Sequence, residues 1–368
     1  MPSHGGSNLT QSLRRWTGRP SHGGSNLTQS YHPPREFDGW RITSLLPAEL
    51  RQNMALYRSA LSTGSRHFDL DGHFPKRHCI GAAGDEYDEL WKPASRYDLR
   101  NVRALNNMSV LLAGDSSLAM LSAAMKVVVA ATGSNLKITH RVVELLPEVG
   151  NEVQTAKLLK AVAAHDVTIM NAGLHYNHKP LCNEGQDSMT EFVTTRISSV
   201  ICDDAGARNS SVVLRKIRGE NTPPYLRAEM QQMMSAMSQI RDHQDHVLWF
   251  ETTAQHFDTD DGSFDSSILS YRNVACVPLS SNHIDWRNAI TTPLAQKAGL
   301  KVISFRLTER RVRDHPNTIT GQSCSANHAT RGGTLTRCDC THYCLDSATL
   351  LAAVELAFEV VGRFSLPR

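Results

Sequence analysis

Two hydrophobic rhythms alternate along this chain. Short, mostly apolar runs recur at 108–113, 167–170, 247–250 and 301–305, each closing on polar residues. Runs of that kind suit strands buried on both faces. Between them the apolar positions return every three or four residues. That spacing predicts helices over 46–61, 117–126, 152–164, 224–246, 286–298 and 345–361, with 187–201 as a further helical stretch. Val127-Val-Val-Ala130 reads as a separate apolar run. Pro224 suits a first helical turn, and Gly299 suits the residue just past a helix end. The methionines between 224 and 246 read as core packing rather than as ligands. Strand and helix in alternation predict an α/β fold, a three-layer α/β/α sandwich with a mainly parallel sheet.

Composition separates the chain into two parts. Residues 1–38 are polar and carry a direct repeat, Pro2–Ser12 recurring as Pro20–Ser30. One duplication cannot stack into a solenoid core, so this segment reads as disordered. Residues 39–368 read as one catalytic-size domain, within a chain that is 40% hydrophobic and 20% charged. The net charge of +3, without a basic run interleaved with aromatics, gives no footprint for nucleic acid. No apolar stretch is of membrane-spanning length, and no secretory signal pattern opens the chain, so no membrane contact is expected. Most of the 17 histidines fall in polar stretches and read as loop or surface residues. Eight cysteines and Asn-x-Ser/Thr triplets at Asn8, Asn26, Asn107 and Asn209 lean towards a secretory compartment.

In a parallel sheet of this kind the ligand site lies beyond the carboxyl ends of the strands. Here those ends are Gly114–Ser116, Asn171–Tyr176, Glu251–His256 and whatever follows Phe305. Gly114-Asp115-Ser116 turns straight from strand into helix. A serine there stands beside free backbone N–H groups and the positive end of the helix dipole, a good place for a nucleophile whose product is an oxyanion. The plainer reading is that Asp115 or Ser116 caps the helix. More than two hundred residues on, Asp339 and His342 stand three apart in Cys338-Asp-Cys-Thr-His-Tyr-Cys344. An aspartate that orients a histidine, which in turn takes the serine proton, is triad logic.

A serine on the first sheet turn, and Asp-x-x-His just before the last helix, is the order found in SGNH (GDSL-type) hydrolases. Asp339-Cys-Thr-His-Tyr-Cys-Leu345 resembles the Asp-Cys-x-His-Trp-Cys-Leu signature of plant trichome-birefringence-like proteins and the wider PC-esterase group. Asp314-His-Pro316 is similar to that family's Asp-Ala-His-Pro element, and Asn171-Ala-Gly-Leu-His-Tyr176 to its Asn-x-Gly-x-His-Tyr element. The resemblance spans roughly residues 100–365. The chain departs from the pattern at Leu118-Ala119 and after Leu345.

The resemblance implies an SGNH-like fold and serine-dependent transfer of an acyl group, acetyl first, to or from carbohydrate hydroxyls in the Golgi lumen or outside the cell. Ser116 is then the nucleophile, His342 the general base, and Asp339 the residue that orients it. The Ser116 backbone N–H and the Asn171 side-chain amide are expected in the oxyanion hole. Gly114, Asp115, Gly173 and His175 complete the expected oxyanion and substrate-binding set. No cofactor is expected; a transferase needs an acyl donor and a carbohydrate acceptor. O-Acetyltransferase is favoured over carbohydrate esterase. On this reading Cys340 and Cys344 are in disulfides with other cysteines rather than with each other. Two alternatives stay open. Cys338, Cys340, His342 and Cys344 could hold a structural zinc ion, or the chain could bind carbohydrate without catalysis. His175 and His256 fit substrate contact and structural roles equally.

Overall fold

The computed structural model of the 368-residue chain describes residues 47–64, 97–178, 215, 220–240, 246–264, 276–280, 283–304, 315, 340–343, 345 and 347–364. All of them belong to the unit Arg41–Arg368. Asp339, Cys338, Cys344, Asp314, Phe305, the helix expected over 187–201 and the disorder expected over 1–38 lie outside the described residues.

Five strands form one all-parallel sheet. They are β1 (Ser109–Gly114), β2 (Lys137–Val142), β3 (Val167–Met170), β4 (Val247–Phe250) and β5 (Lys301–Ile303), in the spatial order β2-β1-β3-β4-β5. Among the described residues the helices are α1 (Pro47–Gly64), α2 (Ser116–Thr132), α3 (Glu152–Ala163), α4 (Pro223–Met237), α5 (Trp286–Lys297) and α6 (Ala348–Phe364), with a 3₁₀ turn at Leu99–Leu105. β3 and β4 are buried at every position, and β1 at all but its first, as their apolar runs require.

Side chains alternate across the sheet. Leu111, Ala113, Met170, Val247, Trp249 and Val302 point into a core shared with α3, α4 and α5. Met230, Met233, Met234 and Met237 of α4 are part of that core, as the methionine stripe predicts. The opposite face carries α2, which packs against α1 and α6. Helices thus cover both faces, an arrangement compatible with an α/β/α sandwich. Among the described residues no helix is long and apolar enough to cross a membrane.

Two elements differ from the sequence expectation. Val127–Ala130 is not separate: α2 runs on through it to Thr132 and ends at Gly133, whose φ of 64° suits glycine. A helix covered on several sides holds valines that would otherwise favour a strand. The second strand is instead Lys137-Ile-Thr-His-Arg-Val142, an edge strand exposed or half-exposed throughout. Paired, among the described residues, only with β1, it needs no continuous apolar run and shows none.

The strand order is that of a doubly wound sheet whose crevice opens at the carboxyl ends of β1 and β3. The segments that leave those two ends are Gly114–Ser116 and Asn171–Tyr176.

Candidate active site

Ser116 is the first residue of α2, and Asp115 is the N-cap. The capping reading and the nucleophile reading therefore fall on adjacent residues. Asp115 is fully buried and spends both carboxylate oxygens. Oδ1 accepts from the Ser117 N–H at 3.0 Å and the Ser117 hydroxyl at 2.6 Å. Oδ2 accepts from the Leu174 N–H at 3.2 Å. One side chain thus caps α2 and ties the loop after β3 to the turn after β1. Gly114 allows these two segments to meet. A Cβ there would lie 2.7 Å from Leu118 Cδ1 and 2.9 Å from the Asn171 carbonyl oxygen.

His342 reaches this turn from the far end of the chain. Its Nε2 lies 2.6 Å from Ser116 Oγ, across 226 residues of sequence. Both residues are half-buried. A serine hydroxyl and an imidazole nitrogen at this distance have the spacing that a nucleophile and its general base need.

The loop that presents His342 is fixed from several sides. The buried His315 donates Nδ1–H to the His342 carbonyl at 2.7 Å, since a carbonyl can only accept. Burial holds the His315 imidazole well below its ordinary pKa, the neighbouring His256 adds to this, and the bond to the His342 carbonyl only partly opposes it. It is therefore neutral, with its proton on Nδ1. The His315 ring stands 4.9 Å from that of His256 and 4.5 Å from that of Tyr343. The Tyr343 hydroxyl donates to the Ala254 carbonyl at 2.9 Å. His256 gives its backbone N–H to Cys340 O at 2.8 Å, and its Nδ1 to Val277 O at 2.9 Å. Gln255 Nε2 donates to Thr341 Oγ1 at 2.9 Å. Cys340 is bonded to Cys276. The segment after β4 is thus a bed on which 340–343 rests.

That bed is held by α5. The Arg287 guanidinium is buried, ion-paired with Asp285, and donates to Gln255 Oε1 at 3.0 Å. Asn288 exchanges a reciprocal pair of bonds with the Thr252 backbone, at 2.8 and 2.9 Å. Thr252 in turn lies against Gly173, where a Cβ would come within 1.9 Å of Thr252 Oγ1. Only glycine lets the loop after β3 approach so closely.

The remaining expected residues take distinct places. Asn171 is fully buried and gives one amide hydrogen to the Phe250 carbonyl at 3.0 Å. The backbone N–H groups of Ser116 and Gly173 make no hydrogen bond among the described residues. His175 is half-buried, and its carbonyl accepts from Asn221 Nδ2 at 3.1 Å. His256 is a packing and hydrogen-bonding residue under the His342 loop. Cys340 was expected in a disulfide and is in one, its partner being Cys276. That sulfur is then no thiolate, and the proposed four-ligand zinc set loses a member.

Sequence reasoning missed Gln255, Arg287, Asn288 and Cys276. Gln255 lies within the Glu251–His256 segment that the sequence already placed at a strand end, and that was its signal. Arg287 and Asn288 sit in the first turn of an ordinary-looking helix, and nothing local marks them.

Below the sheet turn lies a buried polar trio. Tyr176 accepts from the Leu146 N–H at 2.9 Å and donates to Glu229 at 2.5 Å. Glu229 also pairs with Arg215. Burial pushes the Glu229 carboxyl up to about 7, against the pull of Arg215 and the Tyr176 hydroxyl. The trio anchors the far end of the Asn171–Tyr176 loop to α4.

A scan against models of known protein families finds none that matches this chain, and a search of curated proteins finds no match either.

Proposed function

We propose that this chain is an SGNH-type serine acyltransferase, similar to the PC-esterase group and the trichome-birefringence-like O-acetyltransferases, that moves an acetyl group onto a carbohydrate hydroxyl. The observation that carries the reading is the 2.6 Å approach of His342 Nε2 to Ser116 Oγ. It occurs at the sheet crevice and between two short motifs that the resemblance pairs.

Ser116 Oγ attacks the acyl carbon of a donor ester while its proton passes to His342 Nε2. The tetrahedral oxyanion forms beside the Ser116 and Gly173 N–H groups. The second amide hydrogen of Asn171 is a further donor, since its first is on Phe250 O. The donor C–O bond breaks, and the leaving oxygen takes the proton from His342. An acceptor hydroxyl then gives its proton to His342, attacks the acyl carbon and releases Ser116, which recovers a proton. With water as the acceptor the same site is an esterase, the alternative reading. Asp339 takes the role of orienting His342 by resemblance. The Cys276–Cys340 disulfide supports work in an oxidising compartment, the Golgi lumen or outside the cell.

The test is incubation with an activated acetyl ester, with and without oligosaccharide acceptors, followed by mass spectrometry of the protein and the sugar. Acetyl is expected on Ser116 and then on sugar. Ser116→Ala and His342→Ala are each expected to lower turnover by roughly three orders of magnitude, with folding intact and the double variant little worse than either single. Near-wild-type turnover in both singles refutes the assignment.

A further inference from the structure

Of the Asn-x-Ser/Thr triplets in the chain, Asn107-Met108-Ser109 is the one that lies among the described residues. It stands at the amino end of β1, in the turn that leaves the 3₁₀ segment. Asn107 is exposed, and its φ of 68° is a left-handed conformation that asparagine adopts more readily than most residues. One edge of the residue is held. Its backbone N–H donates to Asn135 Oδ1 at 2.7 Å, and its Oδ1 accepts from Asn135 Nδ2 at 2.9 Å. The Asn107 Nδ2 itself makes no hydrogen bond among the described residues. Ser109 is half-buried and fully engaged. Its Oγ donates to Asp166 Oδ2 at 2.8 Å and accepts from the Asp166 N–H at 3.1 Å. Its backbone N–H donates to the same carboxylate oxygen at 2.7 Å.

We propose that Asn107 is an N-glycosylation site, and that its sugar is attached before β1 joins the sheet. The inference rests on the secretory-compartment part of the reading above and is independent of the serine chemistry. In the transfer, Nδ2 bonds to the anomeric carbon of an oligosaccharide. The bond from that carbon to the oxygen of a lipid diphosphate carrier breaks, and one amide proton leaves. Nδ2 keeps its other hydrogen and Oδ1 stays an acceptor, so the pair with Asn135 survives. Ser109 sets the timing. The triplet is read through its third-position hydroxyl, and in the folded chain that hydroxyl is committed to Asp166 in a strand paired with β2. The place of Asn107 sets the consequence. β1 has six residues, so its amino end is about 16 Å from the Gly114 turn at the other end. A bulky, hydrophilic sugar at that pole leaves the crevice at Ser116 open.

The experiment sends the full chain through a eukaryotic secretory pathway behind an appended cleavable leader, so that a negative result falls on the site and not on the compartment. Secreted protein is treated with a peptide-N-glycosidase in heavy-oxygen water, which turns each glycan-bearing asparagine into a labelled aspartate, and is mapped by mass spectrometry. The label is expected at position 107 in most chains of the wild type. It is expected to be absent there from Asn107→Asp, which keeps the Oδ1 acceptor, and from Asn107→Gly, which suits the positive φ. Fluorophosphonate labelling of Ser116 is expected to agree within about twofold with and without the glycan, since the sugar lies at the far end of β1. Chain folded without the glycan and then offered an oligosaccharyltransferase and lipid-linked oligosaccharide is expected to be modified about tenfold more slowly than the same chain reduced and unfolded, because β1 must first open. Secreted wild type without label at position 107 overturns the site and leaves the acyl-transfer reading standing. Retention of the wild type with secretion of Asn107→Asp also overturns it. Equal rates for folded and unfolded chain overturn the timing. Label at position 107 with Ser116 unreactive in both forms supports the site and counts against the serine reading alone.

Discussion

Replacing Cys276 and Cys340 together by alanine removes one covalent link and leaves no new buried hydroxyl or free thiol. The bridge joins residues 64 apart in sequence. Constraining a loop of that length lowers the entropy of the unfolded chain by an amount worth about 4 kcal/mol at 25 °C. In a unit the size of Arg41–Arg368 that corresponds to roughly 6 °C in melting temperature. The native loop keeps its other ties: His315 to His342 O, Tyr343 to Ala254 O, and Gln255 to Thr341. Stability is therefore expected to fall while reactivity at low temperature changes little. Denaturant unfolding gives the free energy, and the rate of fluorophosphonate labelling at Ser116, read at 10 °C, gives the site geometry. The expected result is a loss of about 4 kcal/mol, with labelling within about threefold of wild type. A stability change under about 1 kcal/mol combined with collapse of labelling would refute this reasoning. The bridge would then be a local strut for His342 rather than a constraint on the unfolded chain.

Gly173→Ala is expected to cost about 1–3 kcal/mol in thermal unfolding and to lower turnover more than substrate binding, because the new Cβ meets Thr252 Oγ1 at 1.9 Å and Thr252 is itself held by Asn288. Adding Thr252→Gly should restore part of the stability; no recovery would locate the strain elsewhere. Burial raises Glu229 from an ordinary 4.5 to about 7, so the folded protein holds a proton there that the unfolded chain has already lost. Its contribution to stability therefore falls as pH rises from about 4.5 to about 7, by up to about 3 kcal/mol. Chemical unfolding of wild type and Glu229→Gln across that window should show the downward slope in the wild type alone. A wild-type slope that rises relative to the variant would mean that Arg215 outweighs burial.

Much of this architecture was legible because a buried parallel strand must be apolar on both faces. Val167–Met170 and Val247–Phe250 were read at their observed bounds for that reason. β2 escaped because an edge strand with open faces has no such requirement, and Val127–Ala130 was set apart because local β-branched character does not reveal that a helix surrounds it. Ser116 and His342 were legible as motif residues, since the turn after β1 and the stretch before the last helix carry unusual polar clusters.

By itself, then, the sequence determined which segments could be buried and which residue types stood at their ends. Only the tertiary structure decided which of those ends meet. The approach of His342 Nε2 to Ser116, the Cys276–Cys340 pairing, the seat of Thr252 against Gly173 and the Arg215–Glu229–Tyr176 trio all join positions far apart in the chain. The physical reason is that hydrophobic burial is non-directional and leaves a periodic trace along the chain. Hydrogen bonds, disulfides and close backbone contacts need particular distances and angles between two distant partners, and neither partner alone records them.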